Sequence, residues 1–175
     1  MDHLWTPWRY QYISQAAPTA GCIFCVKGAE NRDAENYILH RGKFNFILLN
    51  LFPYTVGHMM IAPYQHVPTL EQSSEDVLAE MMRLAQRAEM NLRATYRPDG
   101  LNIGLNIGSS AGAGVAGHIH MHVVPRWQGD ANFMTTVGET RVMPEELDTT
   151  YRKLVKMAWT EREGKRQKAK GKRQK

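Results

Sequence analysis

The 175-residue sequence predicts an α+β domain built on an antiparallel sheet. Three observations predict it: a short apolar run at 44–50, an amphipathic stretch from Val77 to Leu92, and two segments, 101–107 and 118–124, in which apolar residues alternate with others. The run Phe44-Asn45-Phe46-Ile47-Leu48-Leu49-Asn50 stops at Phe52-Pro53-Tyr54 and reads as a buried strand, with 56–62 as its neighbour. Val77, Met81, Leu84, Ala85, Ala88 and Leu92 recur at steps of three and four, which predicts a helix. Ser73 and Asp76 stand as its N-cap and N3 partner, and Pro98-Asp99-Gly100 ends it. Leu101, Ile103, Leu105 and Ile107 carry the period-two mark of a half-buried strand. Residues 108–117 form a loop rich in glycine and serine, and 118–124 form another strand, closed by Pro125. Pro144 opens a last helix whose stripe is Leu147, Tyr151, Leu154, Val155, Ala158 and Trp159.

The length suits one domain, taken as residues 1–163, and no internal repeat is found. The formal charge of +5 misleads, because seven of the 22 Lys/Arg lie in residues 165–175, which contain no acid. The rest of the chain has 15 basic against 17 acidic side chains. The basic pI therefore belongs to a tail, 164–175, whose composition cannot build a core and predicts disorder. Weak contact of that tail with nucleic acid is open, but nothing requires it. No apolar stretch approaches the ~20 residues of a membrane span, and the N-terminus Met1-Asp2-His3-Leu4-Trp5 does not resemble a signal peptide, so a cytoplasmic protein is expected. Cys22 and Cys25, the only cysteines, have a spacing suited to a metal or redox pair.

The segment His118-Ile119-His120-Met121-His122-Val123-Val124 carries the chemistry. On a strand its three imidazoles share one face, while Ile119, Met121 and Val123 point to the core. Neutral imidazole can serve near pH 7 as nucleophile, proton carrier or metal ligand. Two alternate histidines can also share a zinc ion, so a metal site is the rival reading. The loop directly upstream has four glycines and two serines, whose backbone N–H groups can cradle phosphate oxygens. It lacks the Lys-Ser/Thr ending of a Walker loop.

These residues resemble the histidine-triad superfamily, whose signature alternates three histidines with apolar residues and here runs on into Pro125-Arg126-Trp127. The similarity extends upstream through Phe46–Asn50, Gly57-His58-Met59-Met60-Ile61-Ala62-Pro63 and His66. Trp5-Thr6-Pro7-Trp8-Arg9 and Gly129-Asp130-Ala131-Asn132-Phe133 look most like the bacterial branch related to diadenosine tetraphosphate phosphorylases and hydrolases. The resemblance implies a five-stranded antiparallel sheet with one long helix and a C-terminal helix, arranged as a homodimer in which two sheets meet. It implies a nucleotidyl transferase or hydrolase acting on dinucleoside polyphosphates, with His120 attacking the α-phosphorus to form a nucleotidyl-histidine. His122 and the loop amides would stabilise the phosphoryl oxygens. Asn50 would face the ribose and Asn106 the phosphates, with Ser110, Gly112 and Gly114 in the phosphate loop. Many relatives carry a hydroxyl or amide side chain where this chain has Gly114. Ser109 or Ser110 could stand in for it.

The resemblance to zinc-bearing members supplies His66 and His118 as partners of Cys22 and Cys25 in a structural zinc site, where His118 would fix the strand presenting His120. No organic cofactor is implied. A packed pair of reduced thiols is the simpler reading of the cysteines. His58 reads as a structural histidine, and Trp5 and Trp8 as packing residues. Two other functions stay open on the sequence: a regulatory module that binds AMP with little turnover, and a zinc metalloenzyme using all three triad histidines.

Overall fold

The computed structural model describes residues 21–131 and 143–159. His3, the 5–9 motif, Asn132, Phe133 and the basic tail at 164–175 lie outside the described residues. Strands β1 (Ile38–Arg41), β2 (Asn45–Leu49), β3 (Met59–Pro63), β4 (Gly100–Leu105) and β5 (Met121–Arg126) form one antiparallel sheet in the order β1-β2-β3-β5-β4. Helix α1 (Ile23–Ala29) precedes the sheet, α2 (Glu75–Tyr96) connects β3 to β4, and α3 (Leu147–Leu154) follows it. The α+β expectation holds, and α1 and β1 are additions to it.

β2 is buried along its whole length and sorts its side chains by parity. Ile47 and Leu49 join Met59, Ile61, Met121 and Val123 beneath the α2 stripe of Met81, Leu84, Ala85, Ala88 and Leu92. Phe46 and Leu48 face the other way and meet Phe24 of α1, Ile38 and Ala62. The sheet thus has two apolar faces, one under the long helix and one under the short one, as its period of two requires. β4 stands at the open edge. Ile103 lies on the same face as Leu101 and Leu105 yet is 42% exposed, and Ile107 is 41% exposed, because α2 packs chiefly over β2, β3 and β5.

Several boundaries differ from expectation: the strand expected at 56–62 begins at Met59, the one at 101–107 ends at Leu105, the last helix ends at Leu154 before Val155, Ala158 and Trp159, and four further differences have local reasons. Ser74, not Ser73, caps α2, its hydroxyl accepting from the Val77 N–H at 3.4 Å, while the Ser73 hydroxyl turns back to the Thr69 carbonyl at 3.2 Å. α3 begins at Leu147 rather than beside Pro144. The ladder of β5 begins at Met121, so His118, Ile119 and His120 precede it, with His118 at a bend. Pro125 does not close the strand. It pairs with Leu101 past the end of β3, where β4 alone flanks the chain and a proline is tolerated as on an edge.

Two small features fix the core against its neighbours. Gly57 has a φ of +79°, and a Cβ there would lie 2.9 Å from Leu92 Cδ2, so the approach to β3 rests against α2 only because this residue has no side chain. The Glu80 carboxylate on α2 accepts from the backbone N–H groups of Lys43, Phe44 and Asn45 at 2.7–2.8 Å and from Asn45 Nδ2 at 3.0 Å, holding the β1–β2 turn. Burial alone would raise its pKa, but the Asn45 amide and these backbone donors outweigh it and hold the carboxyl below its usual value. Its contribution is therefore present above the unfolded carboxyl pKa of about 4.3 and fades as pH falls through the lower folded value. Glu80→Gln is expected to cost about 2 kcal/mol at pH 7, read by urea denaturation, with the gap to wild type closing on acidification. A gap that stays constant down to pH 3 would contradict this.

Candidate active site and metal centre

β5 and the chain entering it set the triad. In the β3–β5 register Met60 faces His122 and Met59 faces Val123. His120 and His122 share the face opposite the α2 core, with ring centroids 4.9 Å apart. Phe24 of α1 packs on His120 and His118, its ring 4.7 Å from that of His120 and 5.2 Å from that of His118. His118 and His120 are buried.

Each ring has one nitrogen committed to a known partner, which determines what the other can do. His120 Nδ1 lies 2.8 Å from the His118 carbonyl oxygen. A carbonyl only accepts, so Nδ1 carries the proton and Nε2 keeps its lone pair. Burial lowers the pKa of His120 against the raising effect of that carbonyl, which favours the neutral ring.

His118 obeys the same rule. Its Nε2 is 2.9 Å from the Pro63 carbonyl and donates to it, so its Nδ1 lone pair points elsewhere. That nitrogen lies 3.2 Å from Cys22 Sγ, 3.5 Å from Cys25 Sγ and 3.2 Å from His66 Nδ1, and Cys25 Sγ lies 3.3 Å from His66 Nδ1. The four ligand atoms lie within 4.8 Å of one another. A tetrahedral zinc with bonds of about 2.3 Å to sulfur and 2.05 Å to nitrogen sets neighbouring S and N about 3.6 Å apart and two N about 3.3 Å apart. The observed spacings approach those edges, and an acceptor nitrogen facing two sulfurs and a second imidazole is a donor set made for a cation. These residues fit zinc. Burial, then the adjacent Cys22 thiol, pushes the Cys25 thiol pKa up. Among the described residues this group takes only His118 from the triad, which separates the metal centre from His120 and His122.

His58, expected to be structural, is drawn into the triad. It lies on the same face as His122, diagonally across the β3–β5 pairing. The Tyr54 backbone N–H donates to His58 Nδ1 at 3.1 Å, and Asn50 Nδ2 approaches the same atom at 3.3 Å. The His58 proton must then be on Nε2, which donates to His122 Nδ1 at 3.0 Å. His122 is left with its proton on Nε2. Burial, then the neighbouring His120, lowers the His122 pKa to about 4, so the ring is a neutral donor at pH 7. Tyr54 lies against both rings, with centroids 4.8 Å from His58 and 6.3 Å from His122.

Asn50 directly follows β2 and is half-buried, its Oδ1 accepting from the Phe52 N–H at 3.0 Å. Asn106 follows Leu105, which pairs with Met121, the residue after His120. The loop contains a 3₁₀ turn, Ser109–Ala111, between Gly108 and Gly112, and the Gly112 N–H is committed to the Ser109 carbonyl at 2.9 Å. Ser110 is exposed on that turn. Gly114 sits in open space outside the left-handed region, so the fold does not require glycine there.

The HIT domain family model matches residues 31–129. The chain belongs to the HIT family. Its triad lies within the matched span, whereas the two cysteines of this HIT protein precede it. The chain is 38% identical over 166 residues to an AP-4-A phosphorylase of Mycobacterium tuberculosis, covering 91% of this chain and 85% of the relative. It is 27% identical over 93 residues to the asymmetrical bis(5'-nucleosyl)-tetraphosphatase of Schizosaccharomyces pombe, covering 53% of this chain and 50% of that one. A zinc-bound histidine triad family protein of Mycobacterium smegmatis superposes with a TM-score of 0.61 at 30% identity, covering 77% of this chain and 90% of the other. Among the described residues no helix is long and apolar enough to cross a membrane.

Proposed function

We propose that this HIT protein cleaves dinucleoside polyphosphates, diadenosine tetraphosphate among them, by nucleotidyl transfer through His120 Nε2. The carrying observation is the 2.8 Å bond between His120 Nδ1 and the His118 carbonyl, which leaves Nε2 as the only nitrogen able to attack. Nε2 forms a bond to the α-phosphorus as the bond to the bridging oxygen breaks, releasing the rest of the nucleotide as an anion. The positive charge that develops on the ring is stabilised through Nδ1–H by the same carbonyl. His122 Nε2–H would donate to a phosphoryl oxygen, and the glycine-rich loop at 108–117 would supply backbone amides for the others. Inorganic phosphate or water then displaces the nucleotidyl group and restores His120, so that one difficult step becomes two easier ones.

Cys22, Cys25, His66 and His118 would hold zinc, which would draw three segments of chain together and take no part in the displacement. The names of the Mycobacterium and Schizosaccharomyces relatives support this substrate class, and the former supports phosphate as acceptor. Incubating the protein with diadenosine tetraphosphate, with and without inorganic phosphate, tests the reading. ADP plus ATP in the presence of phosphate is the expected result. AMP plus ATP would mean that water is the acceptor, and tight AMP binding without product would replace the enzyme with a regulatory module.

A further inference from the structure

We propose that Arg41 is a positioning residue for the metal centre: from β1 it fastens the C-terminal end of α1 and so holds Cys22 and Cys25 in ligating geometry. The proposal rests on the reading that the Cys22–Cys25–His66–His118 group holds zinc. α1 has seven residues, fewer than an isolated helix needs to persist in water, and its last carbonyls have no partners within it. Arg41 supplies those partners. Its Nη1 donates to the Gly28 carbonyl at 2.6 Å, and Nη2 donates to the carbonyls of Glu30 at 2.6 Å and Lys27 at 3.3 Å. Nε donates to Asp33 Oδ1 at 2.8 Å, which fixes the plane of the fork. A cation at this end also complements the helix dipole. A lysine could bring the charge but not a planar fan reaching three carbonyls and a carboxylate.

The sulfurs stand at the opposite end of the same short rod. Cys22 is the N-cap of α1 and makes no side-chain capping bond, so its sulfur is not spent on the helix; it faces His118 Nδ1 instead. His66 and His118 belong to other segments of chain and cannot follow α1 if it tilts. A rise of about 1.5 Å per residue separates the clamp from the first sulfur by roughly 10 Å, so a small rotation at the Arg41 end moves Cys22 out of bonding range. Gly28 sets how closely the rod lies on the sheet, since a Cβ there would stand 3.2 Å from Phe46 Cε1, and Phe46 is the residue paired with Arg41 on β2.

The test compares the full-length wild type with Arg41→Ala and Arg41→Lys, measuring zinc dissociation constants by competition with a chromophoric chelator under reducing conditions. Cobalt titration follows the thiolate absorption band, and circular dichroism establishes that the variants are folded. Arg41→Ala is expected to bind zinc about 10- to 100-fold more weakly, as loss of an outer-shell support does, with Arg41→Lys intermediate. A merely structural role would lower the melting midpoint while leaving the affinity of the folded protein unchanged, and equal affinity in folded variants overturns the proposal. If Arg41→Ala does not fold, Arg41→Lys decides by the same criterion. A wild type that binds neither zinc nor cobalt refutes the metal centre itself; a wild type that binds tightly beside variants that bind equally well refutes the role of Arg41 alone.

Discussion

His120→Ala is expected to lower kcat on diadenosine tetraphosphate by at least about 10⁴-fold while the protein still folds and binds AMP. The size follows from the geometry. Every other nitrogen near the expected phosphorus position is committed: His118 Nε2 to the Pro63 carbonyl, His118 Nδ1 to the cysteine group, and His122 Nδ1 to His58. None can replace the lost lone pair. His122 and the loop amides would survive in the variant, so binding should outlast turnover. Steady-state kinetics, AMP titration and a melting curve on one preparation separate the effects. Mass spectrometry of the wild type on a slow substrate should show an adduct of one AMP on the peptide containing His120. Residual activity above one-hundredth of wild type would remove His120 as nucleophile.

Stripping the metal, or replacing Cys25 by Ser, is expected to act on stability first and on catalysis second. A ligand held about a thousandfold above its dissociation constant stabilises the folded state by about 4 kcal/mol, which for a chain of this size corresponds to a fall of roughly 10 °C in Tm. Without a cation, two sulfurs and two imidazoles at 3.2–3.5 Å must take up protons or separate. Either response disturbs α1, and Phe24 on α1 packs on His120. Turnover should therefore fall on chelation and return with zinc, though not with magnesium, which prefers oxygen ligands. Elemental analysis gives the direct check, with one zinc per chain expected. A wild type purified under reducing, metal-replete conditions with no bound zinc would end this account.

What could be read from the chain and what could not divide along the range of the interactions. The α2 stripe and the buried β2 are local patterns of period 3.6 and 2, and both are found where the pattern places them. The shared face of His120 and His122 is nearly as local: the alternation predicts it, although His120 lies one residue before the strand that carries His122. α1 and β1 gave no such pattern: seven and four residues are too short for a period to declare itself, and α1 is held by a group distant in sequence, Arg41 of β1. His58 was unreadable for a related reason. Nothing in Gly57-His58 shows that β3 will pair with β5 in the one register that sets this ring against His122. The four metal-competent residues illustrate both cases, since Cys22 and Cys25 announce themselves by spacing whereas His66 and His118 join them only through the fold.

Gly57 carries a consequence for the chemistry, although it touches no catalytic ring. With no side chain to hold it away, the backbone just before His58 leans on Leu92, and α2 becomes the backstop against which that imidazole is pitched. A methyl group added here, or a bulkier residue at position 92, would tilt the relay before it disturbed the nucleophile. Such a protein is expected to keep its fold, its four metal-competent side chains and its reactive lone pair, and to lose only the certainty of which nitrogen of His122 holds the hydrogen.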